Sequence, residues 1–209
     1  LGNHGLWYKM TFFEWSARVP LIISTPSGIS GRTVDQSVSL LNLFPTLVDI
    51  GSVQTPPACP NGVSRDSLVP YLAGGQEPAP APVVAEYLAE GAIAPCFMVL
   101  KDRCKYIFSD PDAPLLFDLE KDPAESTNLA EAPEYKALAN ALKGEVENRW
   151  DRRQLRRDVI ENQHQRRIVF ESQMKGRHTP WDHQPLEDAS RQYMRNHLLL
   201  DDLELSRRL

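Results

Sequence analysis

The sequence predicts an α/β fold with a small antiparallel sheet, long helices and an extended C-terminal arm. Three observations predict it. Residues Val19 to Ser24 form an apolar run that reads as a strand buried in a sheet. Four short β-rich runs, VVAEYL, PCFMVLKD, CKYIFS and LLFDLE, follow one another between turn residues, as in a small antiparallel sheet. From Tyr135 onward, Leu138, Leu142, Val146 and Trp150 recur every fourth residue, which is the apolar stripe of a helix.

The elements follow in chain order. After the first strand, a Gly/Ser turn spans Pro26 to Gly31. Leu40, Leu41, Phe44, Leu47 and Val48 then repeat at helical spacing, with Ser37 as the expected N-cap and Gly51 as the stop. Pro45 inside that pattern predicts a kink or a break into two short helices. Residues 52–64 read as loop and Ser67 to Leu72 as a short helix. Gln76 to Pro82 is Pro-rich and extended, and it divides the chain.

Within the sheet region, Asp102 and Arg103 are placed to turn a hairpin, and DPAESTNLAE carries the turn chemistry that introduces helices. A second helical stretch carries Leu155, Val159, Ile168, Val169 and Phe170 and ends at Gly176. Beyond it lies an arm whose clear helix is Glu187 to Arg195. The predicted organisation is therefore 1–75, the end of an α/β domain, then 76–130, a β subdomain, 131–175, a helical segment, and 176–209, the arm.

Composition narrows the function. Hydrophobic residues are 42% and charged residues 24%, ordinary for a globular protein, and no apolar run approaches the roughly 18 residues of a membrane span. With no signal-peptide pattern either, the expected location is cytoplasmic, without membrane contact. The chain opens on Leu inside a Gly-rich turn, which reads as part of a longer protein. A net charge of -5 argues against nucleic acid as the main partner. The exception is local: nine Lys/Arg against four Asp/Glu from Arg149 to Arg177 make that helix basic, a solvated or docking face.

Several residues invite a chemical reading and do not sustain it. Cys59, Cys96 and Cys104 are odd in number and lack a CxxC pair, so free thiols are expected. Cys59 sits in a Pro-rich loop with no bracketing base. His178 and His183 flank Asp182 but lack a third ligand at a suitable spacing, so a surface or interface role is expected for them and no residue of this chain is assigned as a metal ligand. Lys9, in GLWYKMTFFE, stays open between two readings. It is a point charge for an oxyanion beside a strand end, or a surface lysine whose stem covers neighbouring rings.

Two stretches carry a family resemblance. GLWYK with TFFEWSARVPLII, and KYIFSDPDAPLLFDLEKDPAESTNLA with its Leu-x-Asp-Leu, Asp-Pro-x-Glu and Asn-Leu ending, resemble sulfatases of the alkaline phosphatase superfamily. AEYLAEGAIAP, GRHTPWDHQP and YMRNH resemble the choline sulfatase branch in particular. The resemblance implies the C-terminal portion of an alkaline-phosphatase-like sulfatase fold, from an enzyme that hydrolyses choline O-sulfate. It implies a formylglycine nucleophile and a divalent metal, Ca2+ before Mn2+ or Mg2+, both carried upstream of Leu1, so the isolated chain is expected to be inactive.

Onto this chain the resemblance carries Lys9 as the catalytic, sulfate-contacting lysine, with Glu14 and Arg18 bracing its loop. It carries Glu86 as a carboxylate for the choline ammonium, whose structural alternative is a pair with a nearby Arg. It also carries Asp201, or its neighbour Asp202, as an acidic residue that the arm delivers to a neighbouring subunit of a homo-oligomer. His4 belongs to a Gly-x-His-Gly turn rather than a ligand set. Two alternatives stand beside this: another sulfatase or a phosphonate monoester hydrolase, and a non-enzymatic oligomerisation or binding module built on the basic helix and arm.

Overall fold

A computed structural model of the chain describes residues 2–6, 9–25, 31–51, 66–72, 79 and 81–176. Cys59, His178, His183, Asp201, Asp202 and the expected helix Glu187 to Arg195 lie outside the described residues. Two compact units divide the chain, Leu1–Glu161 and Asn162–Leu209, and each is taken by itself.

In the first unit a closed turn opens the chain. Gly2 and Gly5 take positive φ of 83° and 73°, and the Gly2 amide bonds the Leu6 carbonyl at 2.9 Å. A single-turn helix, α1 (Glu14–Ala17), follows. Val19 to Ser24 then corrects the sequence expectation, because it forms no strand: Val19 is 51% and Ile22 91% exposed. A strand exists only through its neighbours, and among the described residues none pairs with this run, while Pro20 offers no amide to a ladder.

The next helix starts as a 3-10 turn, Leu40–Asn42, and continues as α2 (Leu43–Ile50). Ser39, rather than Ser37, caps it: Ser39 Oγ accepts from the Leu41 amide and Asn42 Oδ1 from the Ser39 amide, a reciprocal capping box. Pro45 falls in the first turn of α2, where the missing N–H costs no helix bond, and the break lies just before it. Buried Thr46 ties α2 to the short helix α3 (Val69–Leu72), its hydroxyl donating to the Asn42 carbonyl and accepting from the Leu68 amide.

The sheet bears out the four β-rich runs: β1 (Val83–Tyr87), β2 (Cys96–Lys101), β3 (Cys104–Ser109) and β4 (Leu115–Asp118) form an antiparallel meander in that order. Asp102 and Arg103 do turn the β2–β3 hairpin, both at positive φ (47° and 69°), as a two-residue turn of matching twist requires. The register places Glu86, Phe97 and Phe108 opposite one another, and likewise Val99, Tyr106 and Leu116, so these residues share one face. On that face packs α4 (Lys136–Arg149), presenting Leu138, Leu142 and Val146 one turn apart to Phe97, Val99, Tyr106 and Leu116. Lys105, Ile107 and Phe117 point to the other face.

Asp151 caps the start of α5 (Arg152–Met174), its carboxylate accepting from the Gln154 amide at 2.9 Å. No residue of α5 is buried. In the second unit the described part of that helix is held by local contacts such as Arg167 to Glu171 at 2.8 Å.

Candidate active site

Lys9 lies in the segment between the opening turn and α1, and it is exposed. Its carbonyl accepts a 2.8 Å bond from the Ser16 hydroxyl, so the turn at α1 folds back on it. His4 stacks on Phe13 with centroids 4.0 Å apart, and Phe13 in turn meets Phe117 of β4 at 5.9 Å. These ring contacts seat the Lys9 segment on the sheet face opposite α4.

A fully buried cation fixes that seat. Lys105 of β3 is 1% exposed, yet its ammonium has three partners: Glu14 Oε1 at 2.5 Å, Glu125 Oε1 at 2.8 Å and the Phe12 carbonyl at 2.8 Å. Three N–H donors meet three acceptors, so no proton is left unsatisfied in the interior. Glu125, itself 2% exposed, turns its second oxygen to the Glu14 amide at 2.6 Å. It does so from a left-handed conformation, φ 55°, which packing must hold in place. Glu14 also meets Arg18 at 3.8 Å, so the bracing role expected for both residues matches their contacts.

Sequence reasoning missed Lys105 and Glu125. A signal was present, because Lys105 alternates with Ile107 on a strand face that also carries Phe117, and a lysine on an apolar face needs an acid partner. Glu125 is the Glu of the Asp-Pro-x-Glu stretch. The remaining polar residues of that stretch likewise close turns. Asn128 Oδ1 accepts from the Leu116 and Ala130 amides, and Asp122 from the Thr127 amide. Asp118 binds Lys121 at 2.8 Å and Tyr135 at 3.1 Å, and the Lys121 ammonium holds its carboxyl below the usual carboxylate range.

Glu86 lies on β1, on the face shared with α4, and is exposed. Its expected alternative, a pair with an Arg, is not seen among the described residues. Instead Oε2 accepts a 2.6 Å bond from the indole Nε1–H of Trp150, whose ring packs on Phe97 at 4.8 Å. Among the described residues no cation pairs with Glu86. Lys9 and Glu86 are thus held by opposite faces of the sheet, and no contact between them brings them into one site.

Other chemistry is limited. Cys96 and Cys104 are free, as expected, and burial pushes the Cys104 thiol up, away from the reactive thiolate. A cavity of about 220 Å³ lies beside Cys104, between Lys101 and Asp102 on one side and Leu138, Leu142 and Glu145 on the other, and it contains neither Lys9 nor Glu86. Among the described residues no three His, Cys, Asp or Glu side chains converge to hold a cation, so these residues alone do not form the metal site that the resemblance implies. No described helix is long and apolar enough to cross a membrane.

The profile of the N-sulphoglucosamine sulphohydrolase C-terminal family matches residues 2–152, well over half of the chain. The chain belongs to the sulfatase family. A second profile, choline sulfatase enzyme C terminal, matches residues 157–209. Among curated sulfatases, the chain is 42% identical to a choline-sulfatase of Rhizobium meliloti over 213 aligned residues, covering all of this chain and 40% of that protein. It is 34% identical to arylsulfatase K of Xenopus laevis, covering 61% of this chain and 25% of that protein. The chain therefore spans well under half the length of these sulfatases. A phosphonate monoester hydrolase of Agrobacterium radiobacter is similar in structure over 63% of this chain and 27% of that one, with 27% identity and a TM-score of 0.45.

Proposed function

We propose that this chain is the C-terminal part of a choline sulfatase, which hydrolyses choline O-sulfate to choline and sulfate. The observation that carries the reading is the 42% identity maintained across the whole chain, together with the choline sulfatase profile over 157–209. The arylsulfatase K match covers 61% of the chain, which favours the choline reading over a general sulfatase. Formylglycine and the divalent metal belong to this proposal as parts carried upstream, where they supply the nucleophile and the charge on sulfate oxygens. Cytoplasmic location, and a homo-oligomer joined by the arm with Asp201 or Asp202 entering a neighbouring pocket, belong to it as well.

Within this reading Lys9 serves the sulfate end. Its ammonium stands where negative charge grows on oxygen as the S–O bond breaks, and a fixed cation there stabilises the transition state more than the ground state. Glu86 serves the other end. A quaternary ammonium has no N–H to donate, so it is recognised by carboxylates and aromatic faces. A neutral donor orients this exposed carboxylate without placing a competing cation beside it.

The test is turnover of choline O-sulfate, an aryl sulfate and a phosphonate monoester by the full-length protein. Choline O-sulfate is expected to show the highest kcat/KM. Equal or better use of the aryl ester would overturn the substrate assignment and leave a general sulfatase.

A further inference from the structure

We infer that Trp150 is a positioning residue for substrate selectivity, setting the Glu86 carboxylate without neutralising it. The inference rests on the reading of Glu86 as the site for the ammonium. Its physical basis is the kind of donor chosen. An exposed glutamate has three rotatable bonds, and ordering it costs side-chain entropy that a ligand would otherwise have to meet. An Arg or Lys partner would order it but cancel its charge. The indole Nε1–H, at 2.6 Å from Oε2, orders it and leaves the charge in place.

The indole is itself fixed. Trp150 ends α4 in an extended conformation, its amide still bonded to the Val146 carbonyl at 3.1 Å, and its ring is packed on buried Phe97. Phe97 is the residue directly opposite Glu86 in the β1–β2 register. Strand pairing, ring packing and the N–H bond therefore close a small loop, Glu86 to Phe97 to Trp150 and back. One oxygen of Glu86 is used in it, and the charge is shared by both. Among the described residues no other donor reaches this carboxylate.

Trp150→Phe in the full-length enzyme tests this, since the ring still fills the space on Phe97 while the donor is gone. KM for choline O-sulfate should rise about tenfold, equivalent to about 1.4 kcal/mol, with kcat little changed and the kinetics on an aryl sulfate unaffected. Glu86→Gln should give the same selective rise, larger, and the double variant should lose no more than Glu86→Gln alone. If Phe leaves the enzyme unfolded, Trp150→Leu provides a second apolar side chain on Phe97 with no donor.

The failures are distinguishable. Unchanged selectivity in Glu86→Gln overturns the reading of Glu86, and this inference with it. A selective effect of Glu86→Gln beside a Trp150→Phe enzyme that is silent, or equally impaired on both substrates, overturns this inference alone.

Discussion

The two faces of the sheet handle a glutamate in opposite ways. On one, Glu14 and Glu125 converge on Lys105, and each is satisfied within the protein. On the other, Glu86 is exposed and accepts from a neutral indole. Charge that is closed on itself holds a structure together, because any exposure or loss of one partner leaves a buried ion unpaired. Charge that is oriented and has no cation beside it among the described residues is what the proposed ammonium site requires. On the proposed reading of Glu86, the contrast separates a brace from a binding group within a single small sheet, where sequence shows only acidic residues.

The strongest way to break this contrast is Lys105→Met. With the ammonium gone, two carboxylates remain against an apolar face, and the full-length protein is expected to lose about 3–5 kcal/mol of stability. Urea denaturation measures it. A loss below about 1 kcal/mol, the range of an exposed pair, would mean the cluster is solvated and the two faces are alike.

The brace also explains what was legible in the sequence. Four strands, their hairpin at Asp102 and Arg103, and the α4 stripe could be read because each depends on local periodicity or turn chemistry. Val19 to Ser24 was misread because burial on both faces depends on neighbouring chain, which a local pattern cannot supply. The apolar strand face around Lys105 calls for an acid partner but does not say which: its partners lie 20 residues after it and 91 before it, and only the folded sheet brings them together. The two stretches that carry the family resemblance turn out to be bonded to each other through this lysine, Glu14 from the first and Glu125 from the second. Glu14, Asp122, Glu125 and Asn128 of these stretches all make contacts within the scaffold. Glu86 was picked out in the sequence, but its indole partner, 64 residues away, was not.

Asp118 sharpens the comparison with an intermediate case. Its pairing with Lys121 and Tyr135 repeats the brace near the surface, with Lys121 itself exposed. A carboxyl held below its ordinary value of about 3.9 contributes stability above that pH, and the contribution disappears as pH falls through the lower folded value. Stability should therefore decline as pH falls below the ordinary carboxylate range, and Asp118→Asn should be less stable than the parent at pH 6 and converge with it in acid. Parallel pH profiles for the two proteins would assign the acid limb to other groups. The effect should be smaller than that of Lys105→Met, because the Lys121 ammonium is open to solvent and screened, whereas the Lys105 ammonium is buried.

The smallest effect on stability should come from Glu86→Gln, and that is its value. Gln keeps an oxygen that can accept from the Trp150 indole, so the loop through Phe97 survives and unfolding should shift by no more than about 0.5 kcal/mol. Only the charge is removed. A brace must lose stability when its charge goes, whereas a binding group must lose affinity and little else. If Glu86→Gln unfolds as early as Lys105→Met, Glu86 is a structural ion and the distinction between the faces fails. If it melts with the parent while choline O-sulfate binds more weakly, the uncompensated carboxylate is kept for the ligand.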